Sequence, residues 1–489
     1  MNPLWTLLPP LLVIPFIIGF GESRRNYREA SILIAGVVLF IMNVVIWRSA
    51  LDGQAQLSGE LAMLSHFSLQ LIAEPMGIIF GLLASFLWVV TTVYSIGYMR
   101  GHNEKNQTRF YTCFAIAIAA VMAAAYAGNL LTLFVAYEVI TLSTFPLVTH
   151  AGHDGAVRAG KVYIGILMST SIGLFLPAMI WVATVAGTLS FTEGGVLRDS
   201  GISSLSLAIL LGLFVFGIGK AAVMPLHRWL PAAMVAPTPV SALLHAVAVV
   251  KTGVFSLLKI VTYIFGIDTI AASGAAEWLL PFTAFTILVA SVVAFTKDNL
   301  KARLAYSTIS QLSYIVMAAL LATTMSVSGG VMHIVMHAFG KITLFFCAGA
   351  ILVGAHKDSV SQMDGLGRRM PLTMAAFFIG ALGIIGLPPT GGTWSKLLIA
   401  GGSLDNGAWI WIAVLMISTL LNIAYLLPIP LRAFFKPVPA HEAKELQDGD
   451  NSDAPAACRY AIALTASVTA LLFFFPDPLT ELVAMISWR

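Results

Sequence analysis

Apolar runs of about twenty residues recur along almost the whole of the sequence, which is 489 residues long. A helix of that length crosses about 30 Å of hydrocarbon at about 1.5 Å per residue. About fourteen such runs follow one another with short loops between them, and 58% of the residues are hydrophobic against 10% charged. The sequence therefore predicts an all-α polytopic membrane protein with about 14 transmembrane helices in the lipid bilayer, with no soluble domain and no nucleic-acid partner.

The distribution of basic residues predicts the orientation of the chain. Of its 27 lysines and arginines, nineteen fall in alternate loops, and the opposite loops and ends hold three, Arg48, Arg198 and Arg489. Cytoplasmic loops carry the excess of Lys and Arg, so the first set is predicted to be cytoplasmic. Both termini then lie on the outer (periplasmic) side of a bacterial or archaeal-type cell inner membrane. This orientation requires an even number of spans.

The other five basic residues fall inside predicted spans, and they are Lys220, Lys251, Lys259, Lys341 and Lys396. A charge at the bilayer centre costs about 2.5–3.5 kcal/mol on insertion scales, so it usually faces the bundle interior and marks an ion or proton route. Glu138 is a carboxylate at similar depth, roughly 18 Å from the cytoplasmic end of its span. Lys259 lies towards the end of its span, where we expect it to snorkel. Glu74, at the outer start of the third span, is interpreted as interfacial.

Glu138 and Lys220 lie at compatible heights, and two interpretations of them are open. They could form a structural ion pair that lets each survive in the membrane. Alternatively, they pair and also titrate, because burial and a neighbouring charge make the protonation of each group depend on the other. The second interpretation makes the pair a switch for moving protons.

His333, His337 and Lys341 are spaced i, i+4, i+8, which places them along one helix face. Two histidines at this spacing could bind a metal, but no carboxylate or cysteine accompanies them, so we predict a hydrated proton relay and no metal or cofactor. His245 lies six residues before Lys251. We expect both of these side chains to reach the same central channel.

Two spans are interrupted by proline. Pro225 and Pro231 follow Lys220, and Pro388 and Pro389 precede Lys396. Proline removes a backbone donor, and non-helical backbone inside a membrane is tolerated where it is buried in protein or lines a water-filled cavity. The breaks fall in the seventh and twelfth spans, five apart. Because an odd offset inverts the topology, they indicate inverted repeats.

Together these residues form a recognisable set. The chain resembles, over nearly its whole length, the antiporter-like subunits shared by Mrp-type cation/proton antiporters, respiratory complex I and membrane-bound hydrogenases. The resemblance rests on the motifs AYEVITLSTFPL, GKAAVMPLHRWLPAAMVAPTPVSALLHAVAVVKTGVF, KDNLKARLAYSTISQLSY, HIVMHAFGKITLFF and GLPPTGGTWSK.

The resemblance implies fourteen helices with inverted repeats TM4–8 and TM9–13, of which TM7 and TM12 are broken. Glu138 on helix 5 then pairs with Lys220 on helix 7. The remaining family positions fall on Lys251 in helix 8 with His245 nearby, on Lys341 in helix 11 with His333 and His337, and on Lys396 in helix 12. A lysine at this last position, together with the short C-terminus, is similar to the D-type subunit of Mrp antiporters.

We therefore divide the chain into five parts. Helices TM1–3 are expected over 1–108, the first repeat over 109–265 and the inverted second repeat over 275–435. A polar cytoplasmic loop is expected over 436–456 and the C-terminal helix TM14 over 457–489.

The expected function is proton translocation within a multisubunit Mrp-type monovalent cation (Na⁺)/proton antiporter, with other membrane subunits as partners. Protons would enter near His227, load Lys220 or Lys251, pass along the histidines to Lys341 and leave by Lys396. The chain would be a transporter subunit with no redox centre of its own.

Three alternatives to this function remain. Tyr137 stands where many relatives have tryptophan, and the stretch from Trp229 to Lys251 is similar to a branch that also serves hydrogenase-type modules. The first alternative is therefore the same proton channel in a redox-driven complex. The second is a structural scaffold subunit, and the third is ion-coupled uptake of a small solute such as bicarbonate.

Overall fold

The computed structural model describes the chain except residues 53–57, 65–66, 406, 439–452 and 489. Ten helices of the described chain are long and apolar enough to cross a membrane, and four further segments complete a series of fourteen. The fourteen are α1 Pro3–Phe20, α2 Arg25–Leu51, α3 Pro75–Gly101, α4 Gln107–Ala125, α5 Leu130–Val148, α6 Asp154–Ala186, α7 Ser204–Gly217, α8 Thr238–Phe265, α9 Leu280–Thr296, α10 Leu300–Leu320, α11 Thr324–Ala355, α12 with halves Pro371–Ile385 and Gly392–Asp405, α13 Trp409–Phe435 and α14 Ala456–Phe474. The four further segments are α7, α9, α10 and α12.

This order confirms the predicted all-α polytopic fold. A small antiparallel hairpin, β1 Ser58–Leu64 and β2 Phe67–Ile72, connects α2 to α3. Short helices Ile267–Ser273 and Asp477–Ala484 follow α8 and α14. Most of the predicted cytoplasmic loop over 436–456 lies outside the described residues.

The helices that carry the buried charges lie at the centre of the bundle. The most apolar window of α8 is 100% buried within the chain, and those of α3 and α11 are 78% buried. By contrast, the windows of α1, α2, α13 and α14 are 28% to 33% buried. These outer helices expose large apolar side chains, as helices in contact with lipid do. Only central helices can shield charged groups from hydrocarbon, so the layering explains where the lysines are found.

The first break follows α7, which ends at Gly217. Lys220 lies in a short 3₁₀ turn, and Ala222 adopts a left-handed conformation with φ +56°. Side chains satisfy the backbone groups that leave the helix: the Trp229 indole donates to the Gly219 carbonyl at 2.9 Å, and the Lys220 amide donates to the Tyr137 hydroxyl at 3.1 Å. The first part of the break, residues 218–224, is therefore buried in protein, whereas Pro225 and Arg228 are exposed.

The second break separates the halves of α12. Gly386 ends the first half with φ +84°, a conformation that favours glycine. The Gly391 amide donates to the Thr469 carbonyl at 3.1 Å. The breaks in α7 and α12 lie five helices apart on segments that run in opposite directions. This arrangement is that of inverted repeats α4–α8 and α9–α13, and the residue bounds of the repeats stay a prediction.

The loop between α11 and α12 is tied to the end of α13. The Arg432 guanidinium donates to Asp364 at 2.6 Å, and this hydrogen bond lowers the pKa of the Asp364 carboxyl. A carboxyl whose pKa is depressed in the folded state stabilises the fold above its unfolded pKa and loses that contribution as the pH falls. Both side chains are partly exposed, so the contribution is under about 1 kcal/mol.

The close approach of α8 to the first break gives a test of the fold. A Cβ atom at Gly253 would lie 2.6 Å from both the Ala221 nitrogen and the Lys220 carbonyl carbon. We expect Gly253→Ala to destabilise the protein by about 1–3 kcal/mol through overpacking. The measurement is the thermal unfolding midpoint in detergent. Gly165→Ala is the matched control, because no atom lies within 4 Å of its added Cβ. Equal midpoints for the two variants would contradict the packing described here.

Candidate functional site

Lys220 is held by α5. Its side chain is 0% exposed, and its ammonium donates to the Tyr137 carbonyl at 2.5 Å and to the Thr141 hydroxyl at 2.7 Å. The ammonium also lies 3.1 Å from the centroid of the Tyr137 ring. A buried charge needs such partners, and here they are neutral dipoles and an aromatic face instead of a carboxylate.

Glu138 does not contact Lys220, although the sequence predicts that the two groups pair. Both carboxylate oxygens are buried without a hydrogen-bond partner among the described residues, while the carboxylate interacts with Lys220 electrostatically. Helix geometry explains the difference. Tyr137 and Thr141 are four residues apart and share one face of α5, whereas Glu138 is turned by about 100° from Tyr137. The face of Glu138 also carries Val135 and Leu142, which are exposed.

A continuous line of contacts runs through the centre of the bundle from α8 to α12. The Lys251 ammonium lies 2.5 Å from Nδ1 of His337. The rings of His337 and His333 stack with centroids 5.7 Å apart. His333 in turn contacts the Gln311 side-chain oxygen at 3.1 Å and the Ser395 hydroxyl at 2.9 Å. We call these five residues the central line.

Lys396 lies at the α12 end of the central line. It is half-buried, and its ammonium donates at 2.9 Å to the Ile385 carbonyl, which the break in α12 leaves without a helical partner. The ammonium also lies 4.7 Å from the centroid of the Tyr314 ring, and that ring stacks on His333 at 6.0 Å. The structure therefore brings Lys396 next to His333 through Tyr314 and Ser395.

Lys341 points away from the central line. Its ammonium donates to the Ser307 hydroxyl at 2.6 Å and to the Leu304 carbonyl at 3.2 Å, both on α10. Ser307 also accepts a hydrogen bond from Tyr425 of α13 at 2.9 Å. The sequence predicts that protons pass through Lys341 before they reach Lys396. The hydrogen bonds of Lys341 do not lead towards Lys396, so they do not support this order. Two steps of four residues turn a side chain by about 80° round a helix, which carries Lys341 off the face of His333.

His245 is buried, and its ring packs against that of Phe345 with centroids 4.6 Å apart and an interplanar angle of 31°. Both of its ring nitrogens lack a hydrogen-bond partner among the described residues, as do the hydroxyls of Ser241 and Ser313. Buried polar atoms of this kind are ordinarily satisfied by ordered water. His245 thus lies near the central line without a direct hydrogen bond to it.

Lys259 and Glu74 form a buried ion pair, although the sequence analysis interprets them as separate residues near the membrane surface. Lys259 does not snorkel: it is 0% exposed and forms an ion pair with Glu74 at 2.5 Å. A signal was present, because Glu74 and Lys259 are opposite charges at the same predicted end of the third and eighth spans. Gln311, Ser395 and Tyr314 carry no charge, and hydropathy does not single out such residues among other polar residues of a span.

The side chains at the centre of the bundle are of types that exchange protons. Within the described part of the chain, no three His, Cys, Asp or Glu side chains lie close enough to hold a metal ion. The three cysteines are free thiols. What the arrangement does offer is a series of groups that exchange protons: amines, imidazoles and hydroxyls in contact across four helices.

Residues 127–422 match the family described as NADH:quinone oxidoreductase/Mrp antiporter, TM. The chain belongs to this family. It is an antiporter-like, multi-pass membrane subunit, and the match covers both broken helices and every residue of the central line.

Similar proteins agree with this family. The chain is 29% identical to NADH-quinone oxidoreductase subunit N of Desulforudis audaxviator over 95% of its own length and 91% of the relative. It spans about 60% of the longer NAD(P)H-quinone oxidoreductase chain 5 of a Synechocystis species. At 20% identity, its fold is similar to chains of the archaeal membrane-bound sulfane sulfur reductase (TM-score 0.84) and the Mrp complex of a Dietzia species (TM-score 0.83), covering 99% of this chain and 96% of each.

The central line predicts unequal roles for two buried histidines. His337→Ala removes the imidazole that contacts Lys251, so we expect proton transfer in vesicles to fall about 10²-fold, as when a proton-transfer group is lost. His245→Ala removes a ring without a direct contact to the line, so its effect should be smaller. Proton movement is measured with a pH-sensitive dye and normalised to assembled protein. A larger loss in the His245 variant would contradict the order of contacts in the central line.

Proposed function

We propose that this chain is the proton-translocating subunit of a multisubunit Mrp-type monovalent cation (Na⁺)/proton antiporter. The observation that carries the proposal is the central line, in which a lysine, two stacked histidines and a serine connect the two repeats without a gap. Lys220 lies on one side of this line and Lys396 on the other. Groups of this kind at mid-membrane mark proton relays.

The proposed route starts near the first break. Protons reach Lys220 or Lys251 from the predicted cytoplasmic side, where His227 lies. Direct contact between Lys251 and His337 allows a proton to pass to the imidazole. The rings of His337 and His333 stack without a hydrogen bond between their nitrogens, so water carries the proton on to His333. Ser395 and Tyr314 connect His333 to Lys396, from which the proton leaves.

Glu138 is the proposed control element. Its carboxylate acts on Lys220 electrostatically without touching it. A movement of the anion towards or away from the ammonium changes how tightly that lysine holds its proton. Val135 and Leu142 are exposed on the same face of α5, so a neighbouring membrane subunit that packs against them can shift the helix that carries Glu138. Each translocated proton also feels the membrane potential, about 2.3 kcal/mol per 100 mV.

Other properties follow from the same proposal. The protein would lie in a bacterial or archaeal-type inner membrane with both termini outside, as the positive-inside rule indicates. Its partners would be other membrane subunits, protons and Na⁺. The lysine at position 396 supports an antiporter of the Mrp type, because that residue is the feature by which the chain resembles the D-type subunit of such antiporters.

A second candidate is the same proton channel inside a redox-driven complex. The named relatives favour it, since one is a subunit of an NADH-quinone oxidoreductase and one similar fold comes from a sulfane sulfur reductase. Purification of the complex in mild detergent separates the two. Small membrane subunits without redox centres would support the antiporter, and an iron–sulfur or nickel–iron module would support the rival.

The test of the proton route uses the two charges at its start. Glu138→Gln and Lys220→Ala should each reduce transport in vesicles about 10²-fold or more, because the first removes the anion that acts on Lys220 and the second removes an amine that carries the proton. The complexes should still assemble, as judged by co-purification. Lys161→Arg, at an exposed position, is the control. Poor assembly with normal transport per assembled complex would instead support the scaffold role.

A further inference from the structure

A second ion pair lies outside the proposed proton route, at the predicted outer ends of α3 and α8. The Lys259 ammonium is 2.5 Å from a Glu74 carboxylate oxygen and donates at 2.5 Å to the Ala127 carbonyl. The ring of Phe191 lies 4.7 Å from the ammonium, centroid to nitrogen. Tyr263, one turn further along α8, lies close to the Glu74 carboxylate. We call Glu74, Ala127, Phe191, Lys259 and Tyr263 the outer cage.

The outer cage borders a cavity of about 100 Å³. Glu74, Ala127, Phe191 and Tyr263 line it together with Glu193, which is exposed at its rim. A water molecule takes up about 30 Å³ in the liquid, so the cavity has room for a small ion with some of its hydration water.

We infer that the outer cage is a monovalent-cation site in which the Lys259 ammonium stands in for the ion. The ammonium is itself a cation, and its oxygen contacts, a carboxylate oxygen and a carbonyl oxygen, are of the types that bind hard cations. The inference rests on the proposed antiporter function, and it places cation exchange at the predicted outer face, away from the central line.

The exchange balances in atoms and charge. The Lys259 ammonium releases its proton to water in the cavity and becomes a neutral amine. One monovalent cation enters from the outer side and takes its place beside Glu74. The carboxylate faces one positive charge before and after, which matters because a buried anion without a partner costs several kcal/mol. One proton therefore leaves for each cation that binds.

The charged and titratable groups around Lys259 are few. Glu74 faces it from the start of α3, Glu193 from the loop between α6 and α7, and Tyr263 from the next turn of α8. Glu74 is the carboxylate paired with the ammonium, and Glu193 is exposed at the rim, so one paired negative charge faces the ion, which suits a monovalent cation. Mg²⁺ demands near-ideal octahedral geometry and sheds water reluctantly, so it serves as the negative probe.

The first experiment measures cation binding without transport. The purified complex is treated with a hydrophobic carbodiimide in NaCl, in MgCl₂ or in choline chloride, and modification of Glu74 is followed by peptide mapping. At about ten times its dissociation constant, bound Na⁺ should slow the labelling of Glu74 about tenfold relative to choline. Labelling of Glu138, which lies outside the cage, should not depend on Na⁺. Equal labelling of wild-type Glu74 in all three salts overturns the inference.

The second experiment separates a cation site from a structural ion pair. Lys259→Arg keeps the charge and the pair with Glu74, but arginine does not give up its proton in proteins. We expect this variant to lose Na⁺ protection of Glu74 and Na⁺-driven proton release, with normal co-purification. Lys161→Arg is the control and should behave as wild type. Na⁺ protection in Lys259→Arg equal to wild type would show the pair to be structural.

Failure of this inference is distinguishable from failure of the proposed function. If Na⁺ protects Glu74 but the complex catalyses no Na⁺/proton exchange, the cation site stands and the antiporter proposal fails. If exchange is present but Na⁺ leaves the labelling of Glu74 unchanged, the antiporter stands and the outer cage is not its cation site.

Discussion

The structure depends on one constraint: an ammonium buried in a membrane protein must find oxygen atoms or aromatic faces within reach. Lys220 finds a carbonyl and a hydroxyl of α5, Lys341 finds the same pair of groups on α10, and Lys396 finds a backbone carbonyl of α12. Lysines can sit at these depths because neighbouring helices are placed to supply such groups. Helix packing at the centre of the bundle is therefore set by charge solvation as much as by apolar contact.

The helix breaks follow from the same constraint. A carbonyl inside an intact helix already accepts one backbone hydrogen bond, whereas a carbonyl at a helix end has no such partner. The break in α12 leaves the Ile385 carbonyl without a helical partner, and the Lys396 ammonium donates a hydrogen bond to it. The break after α7 leaves the Gly219 carbonyl free to accept a hydrogen bond from the Trp229 indole. It also places Lys220 outside the helix, where its ammonium donates to a carbonyl of α5. In both repeats a helix break thus determines the contacts of a lysine: the first break holds Lys220 against α5, and the second supplies the carbonyl that Lys396 contacts.

The large features of this arrangement were predictable from the sequence because hydropathy and proline act locally. The spans, both breaks and the buried lysines follow from patterns within about twenty residues. The directions of Glu138 and Lys341 were not predictable, since a turn of about 80–100° round a helix decides which neighbour a side chain meets. That angle becomes visible only once α5 and α11 are packed. The Glu74–Lys259 pair was missed for a related reason: its members lie in spans that are far apart in sequence.

Helix α8 connects the two sites. Lys251 contacts His337 in the central line, and Lys259 lies in the outer cage, eight residues further on. Eight residues correspond to about 12 Å along the axis. The helix is fully buried and close-packed against the first break at Gly253, so a shift of its backbone at one end is transmitted to the other. A change at Lys251 that moves α8 also moves Lys259 relative to Glu74, which is anchored on α3. One rigid helix can in this way link proton transfer at mid-membrane to events at the outer face.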